Sequence, residues 1–286
     1  MRTFYLCNIH TYTLLCLKRY IGVRFFKTFF LILQTMKRVF FFIISSVGVA
    51  FFLISCSKQT ETITLPALTD YYPLQTGKVF IYRLDSLLIP ISGASELETK
   101  SYHARDSIAD TIRDNLGRLS YRVYRSVTDT LETQPWVNTV SYYITPTDNT
   151  IEVMDENNLR FIKLKEPLRN DYNWMGNSYI DTRSGTSPYQ FMDGWNYTYQ
   201  NFATPYTVLN GTLPNTVTVL QQDETSPPGD FDPNNYQQRN YSIEVYAYGI
   251  GLVYKEFIHW TWQVTPPPAK FDNDSYGIRL NLISYR

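Results

Sequence analysis

The chain has 286 residues and a formal net charge of zero, with 26 Lys and Arg against 26 Asp and Glu. That balance hides two unlike parts: the first 55 residues hold seven of the basic residues and no acidic one, so from Cys56 onward 19 basic face 26 acidic side chains, a net charge of −7. An acidic part of this kind argues against nucleic acid as a partner, because binding a polyanion needs clustered Lys and Arg to neutralise phosphates.

In chain order, an apolar and basic stretch comes first, Ile21 to Gln34, broken by Arg24 and Lys27. Then follow the basic head Met36-Lys37-Arg38 and an apolar run from Val39 to Ile54, interrupted only by Ser45, Ser46 and Gly48. Head and run have the layout of a signal peptide over 36–55. The run is about 16 residues, short of the ~20 that span a bilayer as a helix. We therefore expect translation to start at Met36, with residues 1–35 a mis-assigned extension. The alternative, a two-helix membrane hairpin, would put Arg24, Lys27, Lys37 and Arg38 in lipid at high cost.

The run ends in Leu53-Ile54-Ser55-Cys56. These residues resemble the lipobox of bacterial lipoproteins, in which Leu, a variable residue and a small residue precede an invariant Cys. The resemblance implies cleavage before Cys56, a diacylglycerol in thioether linkage on its sulfur, and acylation of the new amino terminus. This covalent lipid is the one non-protein group expected. Cys7 and Cys16 fall in the removed segment, which leaves Cys56 without a disulfide partner. Several acyl chains, at ~0.8 kcal/mol per buried methylene, hold a protein to a membrane without spanning it. Ser57 stands where many inner-membrane lipoproteins carry Asp, which implies the outer membrane, on its periplasmic face or at the cell surface. The polar stretch Ser57 to Thr62 opens a flexible tether over 56–69.

A β domain is expected over 70–286, as one unit or two lobes. Twenty-one of the 24 Tyr and all five Trp follow Cys56, residues suited to half-buried strands. Period-two alternation predicts strands at Val79 to Leu84, Tyr121 to Val127, Val140 to Ile144, Ile151 to Met154, Leu159 to Leu164 and Thr216 to Val219. Near the end, Ile243, Val245 and Ala247 alternate with Ser242, Glu244 and Tyr246; Gly249-Ile250-Gly251 marks a tight turn; Leu252 to Trp262 returns as a partner; Ile278 to Leu282 makes the last strand. The fold class is mainly β: an antiparallel meander forming a curved sheet, open barrel or sandwich, with few helices. A helix is expected only around Ser101 to Leu116, where Asp106, Asp110 and Asp114 recur every four residues as an acidic face. Irregular stretches, Asn170 to Pro188 and Gln221 to Tyr236, are where a site is expected, since long loops are often functional.

The stretch Asp70-Tyr71-Tyr72-Pro73-Leu74-Gln75-Thr76-Gly77-Lys78-Val79-Phe80-Ile81-Tyr82 and the later Gly249-Ile250-Gly251-Leu252-Val253-Tyr254-Lys255-Glu256 are similar to uncharacterised lipoproteins common in Bacteroidota. The resemblance implies lineage and β architecture and brings no activity with it.

Candidate chemistry is sparse. Trp174, Trp195, Tyr197, Tyr199, Trp260 and Trp262 are candidates for a platform that stacks a carbohydrate or an apolar ligand, with core packing as the plainer reading. Asp230, Asp232 and Asn234 alternate as calcium-loop oxygens do, but Asn235 and Tyr241 occupy the places of the Gly and the bidentate Glu, so a polar turn is favoured and no metal is expected. His103 and His259 lack zinc-ligand spacing. No catalytic residue emerges, and Gly-x-Ser-x-Gly is absent. The expected role is a binding or accessory module of the cell envelope, with a structural subunit of an outer-membrane assembly and a carboxylate-dependent hydrolase as alternatives. The expected partners are the membrane, through the lipid, and an envelope protein or a carbohydrate or apolar ligand.

Overall fold

Side chains that alternate between apolar and polar favour an extended backbone with one face buried, and this period recurs from residue 79 to the end of the chain. The structure is a computed structural model that describes residues 66–286, with Met36 alone ahead of them. The signal peptide, Cys56 and the first part of the tether lie outside the described residues.

A first group of strands comprises β1 (Val79–Leu88), β2 (Glu98–Arg113), β3 (Leu119–Asp129), β4 (Val137–Pro146), β5 (Thr150–Met154) and β6 (Arg160–Lys165). After a short connection comes β7 (Asn173–Trp174) and, after a long one, β8 (Tyr197–Val208), β9 (Gly211–Ser226), β10 (Gln237–Ala247) and β11 (Gly251–Gln263), then the short β12 (Lys270–Phe271) and β13 (Tyr276–Tyr285). Twelve of them form one antiparallel path, β6-β5-β4-β3-β2-β1-β13-β11-β10-β9-β8-β7, with β12 paired to β11 at the side. Neighbours on the path are consecutive in sequence except β1 with β13, the first and last strands, and β11 with β13, which β12 separates in sequence. The meander closes into a nearly complete barrel, one of the three architectures expected.

Closure falls between β6 and β7, where side chains substitute for a backbone ladder. The Ile162 amide donates to the Gly176 carbonyl at 2.7 Å. The Trp174 indole donates to the Ile162 carbonyl at 2.8 Å. The Tyr199 hydroxyl accepts from the Lys165 amide at 2.8 Å and donates to the Lys165 carbonyl at 2.9 Å. Each of these groups is a backbone partner that an open edge would have left to water.

One end of the barrel is plugged by a single helical turn, α1 (Leu68–Tyr71), and by Tyr72. Tyr71 is fully buried and its hydroxyl donates to Asn215 Oδ1 at 2.7 Å. Tyr72 packs at 5.5 Å on the ring of Tyr246. Leu68 is buried as well, so the fold takes in residues that composition assigned to the tether. At this end Gly249, at φ +74°, lets the β10–β11 turn bring its amide to the Asp70 carbonyl at 2.7 Å.

Two expectations are corrected. Ser101 to Leu116 is not a helix: its residues up to Arg113 belong to β2. A spacing of four is even, so it also keeps residues on one face of a strand; Tyr102, Ile108, Thr111 and Ile112 supply strand-favouring side chains, and local propensity yields to pairing on both sides. Gln221 to Ser226 is likewise strand, the end of β9, and the irregular stretch begins after it.

The seam is testable at a glycine. A Cβ on Gly176 would meet the ring of Tyr197 at 2.2 Å, whereas one on Gly185 would meet nothing within 4 Å. Gly176→Ala is expected to destabilise the barrel by about 1–3 kcal/mol, as overpacking does, and Gly185→Ala to stay within about 0.5 kcal/mol. Equal urea midpoints for the two variants would refute the packed seam.

Candidate functional site

Barrel closure creates an interior, and the strand register says what lines it. Lys255 lies opposite Glu244 on one side and Leu280 on the other; Phe257 lies opposite Ser242 and Ile278; His259 lies opposite Asn240 and Tyr276. Glu244 reaches across the lumen to Lys163 on β6, so this row faces inward. The alternation in β10 is therefore the reverse of the usual pattern: the polar phase, Ser242, Glu244 and Tyr246, points into the barrel, and Ile243 points out.

Next to the plugged end the interior is polar and tightly paired. Glu244 accepts from Lys163 Nζ at 2.8 Å and from the Tyr246 hydroxyl at 2.6 Å, with Lys255 Nζ 3.6 Å away. Burial alone would raise the Glu244 carboxyl; the two ammonium groups and these hydrogen bonds outweigh it and hold the pKa at about 2. Asp106 accepts both Nε and Nη2 of Arg125, at 2.7 and 2.6 Å, and the Tyr142 hydroxyl at 2.9 Å. Burial opposes the Arg125 charge, and Asp106 more than restores it. Burial also keeps the phenols of Tyr82, Tyr142, Tyr197 and Tyr246 well above the ordinary tyrosine range, so they remain neutral.

Above this floor lies a cavity of about 450 Å³. Phe161, Trp195, Tyr197, Phe257 and Ile278 supply its wall, and Arg125, Lys163, Lys255, Gln221 and Ser242 its polar part. Asp155, Glu156 and Tyr276 stand on its lining from the β5–β6 turn and the start of β13. The connection between β7 and β8 folds over the same side: Phe191 stacks on His259 at 3.8 Å, and Met192, in the 3-10 turn Gln190–Met192, adds to the lining. His259 is buried, its Nδ1 sits 2.7 Å from Asn240 Oδ1, and burial lowers its pKa.

The aromatic candidates are divided among three places. Trp195 and Tyr197 line the cavity. Trp174 and Tyr199 pack on each other at 4.6 Å in the seam. Trp260 and Trp262 lie outside the barrel, on the face of Arg239, where Phe231 and Phe271 cover them and the Trp262 indole donates to the Pro233 carbonyl at 2.9 Å. Asp232 accepts the Asn234 amide at 2.9 Å and closes a polar turn, while the Asp230 carbonyl faces Gln237 Nε2. Among the described residues no group of three or more His, Cys, Asp or Glu converges as a metal site. His103 pairs with Glu132 at the surface. The three aspartates part company: Asp106 enters the lumen, a bulge after Ile108 leaves Asp110 with Arg122, and Asp114 closes the β2–β3 turn with Arg118. Cys56 lies outside the described residues.

Reading alternation alone missed Arg125, Lys163, Gln221, Glu244 and Lys255. The available signal was a charge standing in an apolar phase, as Lys255 does between Val253 and Phe257, and Arg125 between Val123 and Val127.

The Glu244–Lys163 pair carries a prediction. Glu244→Gln leaves Lys163 and Lys255 facing each other without a counter-charge, and is expected to cost about 3–5 kcal/mol of unfolding free energy. The Glu244 pKa is lower in the folded than in the unfolded chain, so its contribution is complete above the ordinary carboxylate range and is lost as pH falls toward about 2. Urea midpoints measured from neutral to acid pH should therefore converge for wild type and variant at low pH; a constant gap would contradict the ion pair.

No protein-family model matches the chain, and no curated protein matches it. Among solved structures, the crystal structure of a beta-barrel-like protein of domain of unknown function DUF1849 from Brucella abortus matches over 73% of this chain and 97% of that chain, at 12% identity and a TM-score of 0.15. A likeness this slight speaks for neither fold nor ligand, and the barrel rests on its own strand register.

Proposed function

We propose that this chain is a lipid-anchored cell-envelope protein whose barrel holds a small ligand with an apolar body. The observation that carries the binding role is the cavity: about 450 Å³, within the usual range for small-molecule sites, with aromatic and aliphatic walls, cationic and amide groups at its floor and the acidic β5–β6 turn on its lining.

The anchor rests on Leu53-Ile54-Ser55-Cys56 and the polar stretch that follows. The outer face of the barrel supports a location in water beside the membrane. Arg279 pairs with Glu256, Arg239 with Asp223 and Arg122 with Asp110 on that face, where a lipid-facing strand would lose about 2–4 kcal/mol for an Arg near the bilayer midplane. Binding is favoured over hydrolysis because Glu244 and Asp106, the carboxylates at the floor, are both committed to cations, and Asp155 at the β5–β6 turn is engaged by the Asn157 and Leu159 amides.

Two measurements test this. In the native host, a clickable fatty acid should label the wild type and not Cys56→Ala, and the variant should leave the membrane fraction; an unlabelled wild type still bound to membranes would overturn the anchor. For the cavity, the full-length protein in lipid nanodiscs should bind decanol saturably, with a change in tryptophan emission that Trp195→Phe reduces. Heat and emission no different from those of protein-free nanodiscs would overturn the binding role.

A further inference from the structure

The polar end of the cavity holds hydrogen-bond donors without matching acceptors. Gln221 is 3% exposed; its Oε1 accepts from the Ser242 hydroxyl at 2.8 Å, while its Nε2 has no hydrogen-bond partner. A buried amide donor left unpaired costs about 1–3 kcal/mol, so a group that lines a cavity in this state is poised to be satisfied by what fills the cavity. Lys255 adds an ammonium that makes no hydrogen bond to any described residue, with Glu244 Oε1 3.6 Å away. Lys163 uses one of its three donors, and Arg125 uses Nε and one terminal nitrogen on Asp106. All four residues line the same cavity.

Charge repeats the pattern. At the floor, Arg125, Lys163 and Lys255 outnumber Glu244 and Asp106 by one. Asp155 and Glu156 bring negative charge to the same cavity from the turn between β5 and β6, close enough for both to feel the charge of Lys255. On β11 the inward residues pass from Lys255 through Phe257 to His259, about 13 Å at strand spacing, so polar floor and aromatic wall follow one another along the barrel axis.

We infer that the ligand is an amphiphile with one carboxylate head, bound head-first, with its oxygens on Lys255 and Gln221 and its apolar tail against Phe257, Phe161 and Trp195. Two carboxylate oxygens offer about four acceptor sites, which suits the unpaired donors of Gln221 and Lys255. Burial, followed by repulsion from Lys163, lowers the Lys255 pKa, and Glu244 offsets this in part; an arriving carboxylate acts in the same sense as Glu244. A cationic head would meet three cations, and a neutral alcohol would leave most of the donors unpaired.

This inference rests on the binding role proposed above, and three probes with one tail length separate the two. Decanoate, decanol and decyltrimethylammonium are titrated calorimetrically into full-length protein in nanodiscs, with protein-free nanodiscs subtracted. Decanoate is expected to bind about tenfold more tightly than decanol, the worth of one or two hydrogen bonds to a charged group, with decyltrimethylammonium weakest. In Lys255→Met the preference for decanoate over decanol should fall to about one, and Gln221→Met, a milder change of similar volume, should reduce it partway. Equal affinity for decanoate and decanol in the wild type, or an undiminished preference in both variants, overturns the carboxylate head and leaves the cavity role standing. If none of the three probes binds, the cavity role falls and this inference falls with it.

Discussion

The barrel and its interior depend on the hydrogen bonds that tie β6 to β7 and to Tyr199 of β8. A twelve-strand antiparallel path has two free edges, and in this chain they are sequential strands linked by a short connection. Few residues are available there for a regular ladder, since β7 has two. Trp174 and Tyr199 complete the closure by placing an indole and a phenol where backbone donors and acceptors would have stood. The over-use of Tyr and Trp thus has a structural cause beyond strand propensity: these side chains span a gap and end in a polar group. Without that closure there is no lumen, and the ion pairs and cavity lose their low-dielectric setting.

The lumen in turn explains why charged residues occupy strand positions that an open sheet would fill with aliphatics. Lys163 lies on β6, at one end of the hydrogen-bonded path, and Glu244 on β10, far along it, and they meet only because the sheet has curved round. Buried pairs of this kind add little net stability over an apolar alternative, but each fixes which strands face one another. The phenols around them stay neutral, and three of them have settled partners: Tyr82 on the Leu252 carbonyl, Tyr142 on Asp106 and Tyr246 on Glu244. Outside, the ion pairs are more exposed and contribute less, and they keep that face suited to water.

Much of this was legible in the residues, and the failures have specific causes. The strands at Val79 to Leu84, Tyr121 to Val127 and Leu252 to Trp262 follow from period-two alternation with β-branched and aromatic side chains. The strand Glu98–Arg113 was hidden because its inner face carries Tyr102, Ala104 and Asp106 in place of an aliphatic stripe, and because an interval of four fits helix and strand alike. β8 escaped as well: Thr204 and Pro205 interrupt its pattern, and its pairing with β9 skips at both places. In β10 the strand was visible while its orientation was not, since apolar-in and polar-out is a rule for solid cores and this core is hollow. The cavity follows from which strands become neighbours, and no window of sequence contains that. Trp260 and Trp262 resembled Trp195 by composition alone, and pairing placed them on opposite sides of the sheet.

The way the aromatic walls are fastened has a consequence for recognition. The indole of Trp195 is tied to the Phe191 carbonyl at 2.8 Å, and Phe161 lies beneath the ammonium of Lys163 at 4.8 Å. Rings held in this way surrender their rotamer entropy when the chain folds, so little remains to be lost when a guest arrives. A pocket built from pre-set planes discriminates by outline: a guest whose contour fits keeps nearly all of its contact energy, and a bulkier one finds no wall that yields.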